Sequence, residues 1–223
     1  MSGHHGACTM LRNVPYYAQL ALEAALGVFG VRIYPGLRYA SIATLSDGVE
    51  VHRYAPRLAA ETEAAGDGVE ARSRAFRILF AYIAGANVGA EPIAMTAPVA
   101  TARPAEKIAM TTPVETAPGA GSVRMRFFLP APYTAATAPR PTDARVRLVP
   151  IPEETMAVLR FSGRGAEAEL ARRTAALRAV LAPTPWRPVA EPVVLFYDPP
   201  FTLPFLRRIE VAVRVERSGE AGP

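Results

Sequence analysis

Cysteine is almost missing from this chain: Cys8 is the only one in 223 residues. That excludes an intrachain disulfide and a site built from several thiolates. Histidine is nearly as scarce. His4 and His5 lie beside the N-terminus and His52 stands alone, so no multi-histidine zinc site can form in the body of the protein. His4, His5 and Cys8 are read as a disordered tail, with metal capture as the alternative. Lysine occurs once, at Lys107, and every other basic residue is arginine. The arginines are scattered, with no stripe interleaved with aromatics, so nucleic acid is not an expected partner. The net charge of +5 still favours an anionic small ligand. There is no glycine-rich phosphate loop, nucleophile elbow or His-Glu-x-x-His helix. Glu153, Glu154 and Asp198 are carboxylates suited to acid–base work, and solvated turn residues are the alternative. Catalysis through a metal or a covalent intermediate therefore has no positive support.

No long apolar run crosses a bilayer comfortably. Tyr16 to Val31 is apolar but short, and Glu23 interrupts it. Leu11, Val14, Ala18, Ala21, Leu22, Ala25 and Phe29 make a helical stripe within it. That N-terminal helix docks on the domain, lies on a membrane surface, or is a cleaved export signal. Docking is the expected state. The expected location is the cytoplasm, with export or membrane association as the alternatives.

What the chain does contain is a phrase spoken twice. Glu91-Pro92-Ile93-Ala94-Met95-Thr96-Ala97-Pro98-Val99 returns as Glu106-Lys107-Ile108-Ala109-Met110-Thr111-Thr112-Pro113-Val114. Apolar residues alternate in both copies, which predicts two strands, each ending at or beside a proline that cannot donate to a ladder.

Half of the residues are hydrophobic, enough for one sizeable core. Two stretches about a hundred residues apart then read alike. Val49 to Tyr54 and Arg57 to Thr62 form one strand pair; Val146 to Pro150 and Thr155 to Phe161 form another. A helix follows each, over about 69–86 and about 166–181, and then more strands, among them Val123 to Leu129, Val193 to Tyr197 and Arg208 to Val215. The order β-β-α-β-β, run twice, predicts an α+β fold. Its sheet is a distorted antiparallel barrel of two pseudo-symmetric repeats, with two main helices plus the N-terminal one. Residues 1–33 form an extension, 34–217 the domain and 218–223 a disordered tail. Pro130 to Pro141 is a surface connection.

The first helix carries apolar residues on two sides. Val69, Phe76, Leu79, Phe80 and Ile83 are assigned to one face, and Ala71, Ala75, Ile78 and Tyr82 to the other. One face packs on the sheet; the other meets a second element, a partner or a ligand. Phe196 to Phe205 is a loop stiffened by three prolines with aromatics on either side. It is either a binding wall or plain turn punctuation.

Several phrases together resemble the SOUL haem-binding family. They are Val49-Glu50-Val51-His52-Arg53-Tyr54-Ala55-Pro56, the two Ile-Ala-Met-Thr-x-Pro-Val copies, Arg160-Phe161-Ser162-Gly163, Tyr197-Asp198-Pro199-Pro200, and Arg207-Arg208-x-Glu210-Val211. The resemblance implies non-covalent binding of haem or a related tetrapyrrole by a monomer, for carriage or buffering. It places the macrocycle in a groove between the first helix and the Tyr-Asp-Pro-Pro loop. Carried onto this chain, the groove residues are Ser73, Phe76, Leu79, Phe80, Ile83, Phe201 and Thr202. Some family members have a histidine in the first strand where this chain has Arg53. His52 is one residue earlier and is expected on the opposite face, pointing away with Glu50. Arg53 pairs with a propionate or makes a salt bridge within the fold. Two other functions stay open: an enzyme on the same scaffold, using Glu or Tyr in the groove on a tetrapyrrole or a strained small molecule, and a protein-interaction module.

Overall fold

A computed structural model gives the fold, and residues 36–89, 106–119, 121–198 and 201–219 are described. The elements in chain order are β1 (Tyr39–Thr44), β2 (Val49–Tyr54), β3 (Arg57–Ala65), α1 (Gly68–Ile83), β4 (Asn87–Val88), β5 (Val114–Gly119) and β6 (Ser122–Phe128). They continue as β7 (Arg140–Pro141), β8 (Arg147–Ile151), β9 (Glu154–Phe161), α2 (Glu167–Leu181), β10 (Trp186–Pro188), β11 (Val193–Phe196) and β12 (Ile209–Arg217). The N-terminal helix and the first copy of the repeated phrase lie outside the described residues. No described helix is long and apolar enough to cross a membrane.

The main sheet is antiparallel and runs β1-β2-β9-β12-β11-β5-β6-β3-β8, with β10 added to β12 and β4 paired to β7 as a separate ribbon. Two residues, Ala55 and Pro56, join β2 to β3, although these strands stand near opposite ends of that order. A connection so short forces the sheet to curl. The same applies to β8 and β9, joined through Pro152 and Glu153. The curl stops short of closure, so the expected barrel is corrected to an open half-barrel with two helices. Its ends, β1 and β8, share no ladder. Pro150 in β8 has no N–H to offer a further strand, which suits an edge. On either side of the β11–β5 junction the pairing order matches: β2-β9-β12-β11 reads outward-in as β8-β3-β6-β5 does.

Alternation along the strands gives the sheet two buried faces. Leu58, Ala60, Val114, Met125 and Phe127 turn towards α1 and pack on Ala75, Leu79, Tyr82 and Ile83. Val49, Val51, Ala157, Leu159, Val211 and Val213 turn towards α2 and pack on Leu177 and Leu181. Each Val, Leu, Ile, Met or Phe among them stabilises the fold by roughly 1.5–3 kcal/mol when fully buried. Tyr54, Met156, Val158, Leu195, Tyr197 and Ala212 form the core of the opposite, concave face with Leu37.

The second copy of the repeated phrase departs from expectation. Its strand begins only at Val114. Before that, Thr112 makes one isolated bridge to Gly36. The backbone partners lie elsewhere: Ile108 N–H donates to the Ile83 carbonyl at the end of α1 (2.9 Å), and Leu37 N–H donates to the Thr112 carbonyl (3.1 Å). Ile108 enters the α1 core. The apolar alternation therefore serves a segment that closes the helix end, and not a sheet ladder.

Asn87 fixes where the chain returns. Its amide donates to the carbonyls of Tyr82 and Glu106, each at 2.8 Å, and accepts from Glu106 N–H at 2.9 Å. Asn87→Ala would strand these buried groups and should cost about 1–3 kcal/mol, measurable by urea unfolding.

Candidate functional site

Burial assigns the faces of α1. Ala71, Ala75, Leu79, Tyr82 and Ile83 are buried against β3 and β6. The Tyr82 hydroxyl donates to the Pro139 carbonyl (2.8 Å), which pins this face. Leu79 and Ile83 therefore belong to the core face with Ala75 and Tyr82, a correction to the face assignment made from spacing. The reason is geometric: Leu79 is four residues from Ala75, one above the other on a helix, while Phe80 is turned a further hundred degrees or so.

The other flank stays open. Val69, Ser73 and Phe80 are exposed and Phe76 is half-buried. Phe80 is 49% exposed. Its ring stacks on Phe76 (centroids 5.9 Å apart, planes 15°), and Phe76 meets Phe127 edge-on (5.3 Å, 62°). A ladder of three rings thus leads from the core to solvent. Edge and offset stacks of this kind add about 0.5–1.5 kcal/mol beyond burial.

The loop between β11 and β12 presents more apolar surface. Phe201, Leu203 and Phe205 are exposed, Phe205 by 70%. Thr202 is buried, and its carbonyl accepts from Arg207 Nε (2.7 Å). Strand register brings the loop's base near the ring ladder: Phe196 pairs with Val114, which pairs with Phe127.

A buried clamp holds the loop. Tyr197 hydroxyl donates to Glu210 (2.7 Å), Arg208 Nε donates to the same carboxylate (2.7 Å), and Asp198 accepts from Arg208 N–H. The Arg208 guanidinium lies 4.0 Å from the Tyr197 ring centroid. Burial, then the Glu210 charge, push the Tyr197 phenol well above its ordinary value. It stays a donor at neutral pH. Burial works against the Arg208 charge, but Glu210 outweighs it and raises that group too. The Tyr-Asp and Arg-x-Glu parts of the sequence phrases are thus the framework of the loop.

His52 shares a face with Glu50, as the register requires, but that face is not solvent. It is the concave face, and His52 is 2% exposed. The imidazole stacks on Tyr39 at 3.8 Å; Nε2 lies 2.6 Å from Glu50 and Nδ1 3.4 Å from the Tyr54 hydroxyl. Sequence reasoning treated this face as outward because it saw only one covering layer. Arg53 is on the opposite face of β2, half-exposed, with Nε 3.9 Å from Glu153. It belongs to the half of the sheet covered by α2 and is not brought to the α1 flank with Ser73, Phe76 and Phe80.

The concave face also carries charges that sequence reading missed. Arg126 donates to Glu61 (2.7 Å) and Glu115 (2.9 Å), and Arg147 to Glu61 (3.0 Å). Arg57 pairs with Glu154 and lies over the rings of Tyr54 and Phe128. Burial raises the Glu115 carboxyl despite Arg126. The available signal was the alternation of Glu and Arg within β3 and β6.

Among solved structures the chain is similar to EcmrR in its DNA complex, with TM-score 0.53 and 10% identity, covering 93% of this chain and 65% of that one. It is also similar to the EcmrR C-terminal domain (TM-score 0.49, 9% identity, 76% and 97% covered). A third is a hydrolase from Listeria innocua (TM-score 0.46, 13% identity, 82% and 94% covered). None of the curated proteins matches. The family model described as SOUL heme-binding protein matches residues 34–214, from just before β1 almost to the end of β12. It takes in the ring ladder, the clamp and the loop, and the chain belongs to that family.

Proposed function

We propose that this protein binds haem or a related tetrapyrrole without covalent attachment, on the open flank of α1 beside the β11–β12 loop. The observation that carries this is the Phe127–Phe76–Phe80 ladder, which ends in an exposed ring with the exposed Phe201 and Phe205 on a loop rooted nearby. A flat apolar macrocycle gains most from such a surface. Ser73, Phe76, Phe80, Phe201 and Thr202 keep their place in this reading. Leu79 and Ile83 support it from the core. Arg53 drops out as a propionate partner. The matched strand orders are read here as two copies of one β-β-α-β-β unit.

His52 does not serve as an iron ligand in this reading, because both of its ring nitrogens already face partners. Metal-free protoporphyrin should therefore bind within about tenfold of haemin, a difference of ~1.4 kcal/mol. Absorbance titrations of both compounds decide it, and a hundredfold preference for haemin would refute flat-face binding. Phe80→Asp places a charge where the ring would rest and should weaken both at least about tenfold. Phe80 is half-exposed, so the melting temperature should hardly move. A folded Phe80→Asp protein that binds haemin like the wild type would remove the α1 flank from the site.

A further inference from the structure

A second cleft lies between the two helices, with a volume of about 330 Å³. Its floor is Thr116 of β5 and Val194 of β11, neighbours in register. One wall is the start of α1, with Asp67, Gly68 and Arg72; the other is the start of α2, with Glu167 and Leu170. The tip of the β5–β6 hairpin closes one end.

Three observations mark it as a built site. Thr116 is only 7% exposed, and its hydroxyl has no hydrogen-bond partner. Thr116 shares the strand face of Val114, which packs towards α1, so the hydroxyl is turned to the helix side and into the cleft. An unpaired buried hydroxyl costs free energy unless something binds it. Second, Arg72, Asp67 and Glu167 line the same space and make no ion pair with one another or with any other described residue. Third, both helices begin without side-chain caps: Asp67 makes no capping bond, and α2 starts from Ala166. Their first-turn N–H groups leave partial positive charge at the cleft.

The charges select the ligand. An anion would meet the carboxylates of Asp67 and Glu167. A cation would meet Arg72 and two helix N-termini. A molecule bearing both signs satisfies all of them. Val123, Leu170 and Val194 add an apolar wall. We infer that this cleft binds a small zwitterionic amino-carboxylate with an apolar body, such as a free aliphatic or aromatic amino acid. Its ammonium lies towards Asp67 and Glu167, its carboxylate towards Arg72, and Thr116 bonds its polar head. The cleft is distinct from the Phe76–Phe80 flank and needs no tetrapyrrole.

The test is titration of the full chain with leucine and phenylalanine, followed by calorimetry and by amide NMR shifts. Leucine amide, which lacks the carboxylate, and N-acetyl-leucine, which lacks the ammonium, serve as controls. Both should bind at least about tenfold more weakly than the zwitterion, each having lost a charge-assisted contact. Arg72 is partly buried and Glu167 exposed, and neither makes an ion pair with a described residue, so Arg72→Gln and Glu167→Gln should leave the fold intact and each weaken leucine about tenfold. Thr116→Val keeps the volume and should weaken it several-fold. Phe80→Asp should leave leucine binding unchanged, which separates this site from the tetrapyrrole surface. Equal binding of leucine and either blocked analogue, no binding at millimolar concentration, or shifts confined to residues away from 67–72, 116–123 and 167–170 would each overturn the inference.

Discussion

Leu79→Ala should lower the unfolding free energy by about 2–5 kcal/mol, the range for a buried leucine whose cavity collapses only partly. Leu79 has 0% exposure and sits among Leu58, Ala75, Met125 and Phe127. The helix cannot sink to fill the gap, because the Tyr82–Pro139 bond and the Asn87 amide hold its C-terminal end. Phe80→Ala, one residue on, removes a larger side chain that is half in water. It should cost clearly less, yet it should weaken porphyrin binding more than Leu79→Ala does in protein that remains folded. Urea unfolding with both variants makes the comparison. If Phe80→Ala proved the more destabilising, the assignment of the two faces of α1 would be wrong.

Glu210→Ala should cost about 3–5 kcal/mol, the penalty for removing one partner of a buried ion pair. The carboxylate is almost wholly buried and receives Tyr197 and two contacts from Arg208, at 2.7 and 2.6 Å. Without it, a largely buried guanidinium keeps its charge beside neutral groups, the Tyr197 ring and the Tyr39 hydroxyl among them. The loop carrying Phe201 and Phe205 hangs from this clamp, so porphyrin affinity should fall with stability. Replacing the pair together, Glu210→Leu with Arg208→Met, should recover much of the loss, because paired apolar groups avoid the desolvation cost. A Glu210→Ala protein within 1 kcal/mol of wild type in ~2 M urea would show that the clamp is dispensable.

Much of this protein was written locally. The strands from Val49 to Thr62, both main helices and the last strand follow from period two and period 3.6, since each needs only its own residues and a surface to cover. The family resemblance rested on the same local phrases. The repeated phrase shows where that logic stops. Its apolar alternation was genuine in the second copy, but Ile108 spends it on the end of α1, and a ladder forms only from Val114. Alternation tells which residues share a face and not what the face meets.

The sequence by itself determined the element order, the α+β class, the apolar excess on α1 and the stiff aromatic loop. These depend on residue type and spacing within a few turns of chain. Tertiary structure decided which flank of α1 remains open, that Leu79 is core while Phe80 is surface, and that the face of His52 is buried. It also decided that Arg53 stays half-exposed on the half of the sheet away from the α1 flank, and that Thr116, Arg72 and Glu167 meet at one cleft. Each of these depends on how far the sheet curls and where the two helices cross it. That curl is set by short connections between strands distant in the pairing order, so no single stretch of sequence contains it.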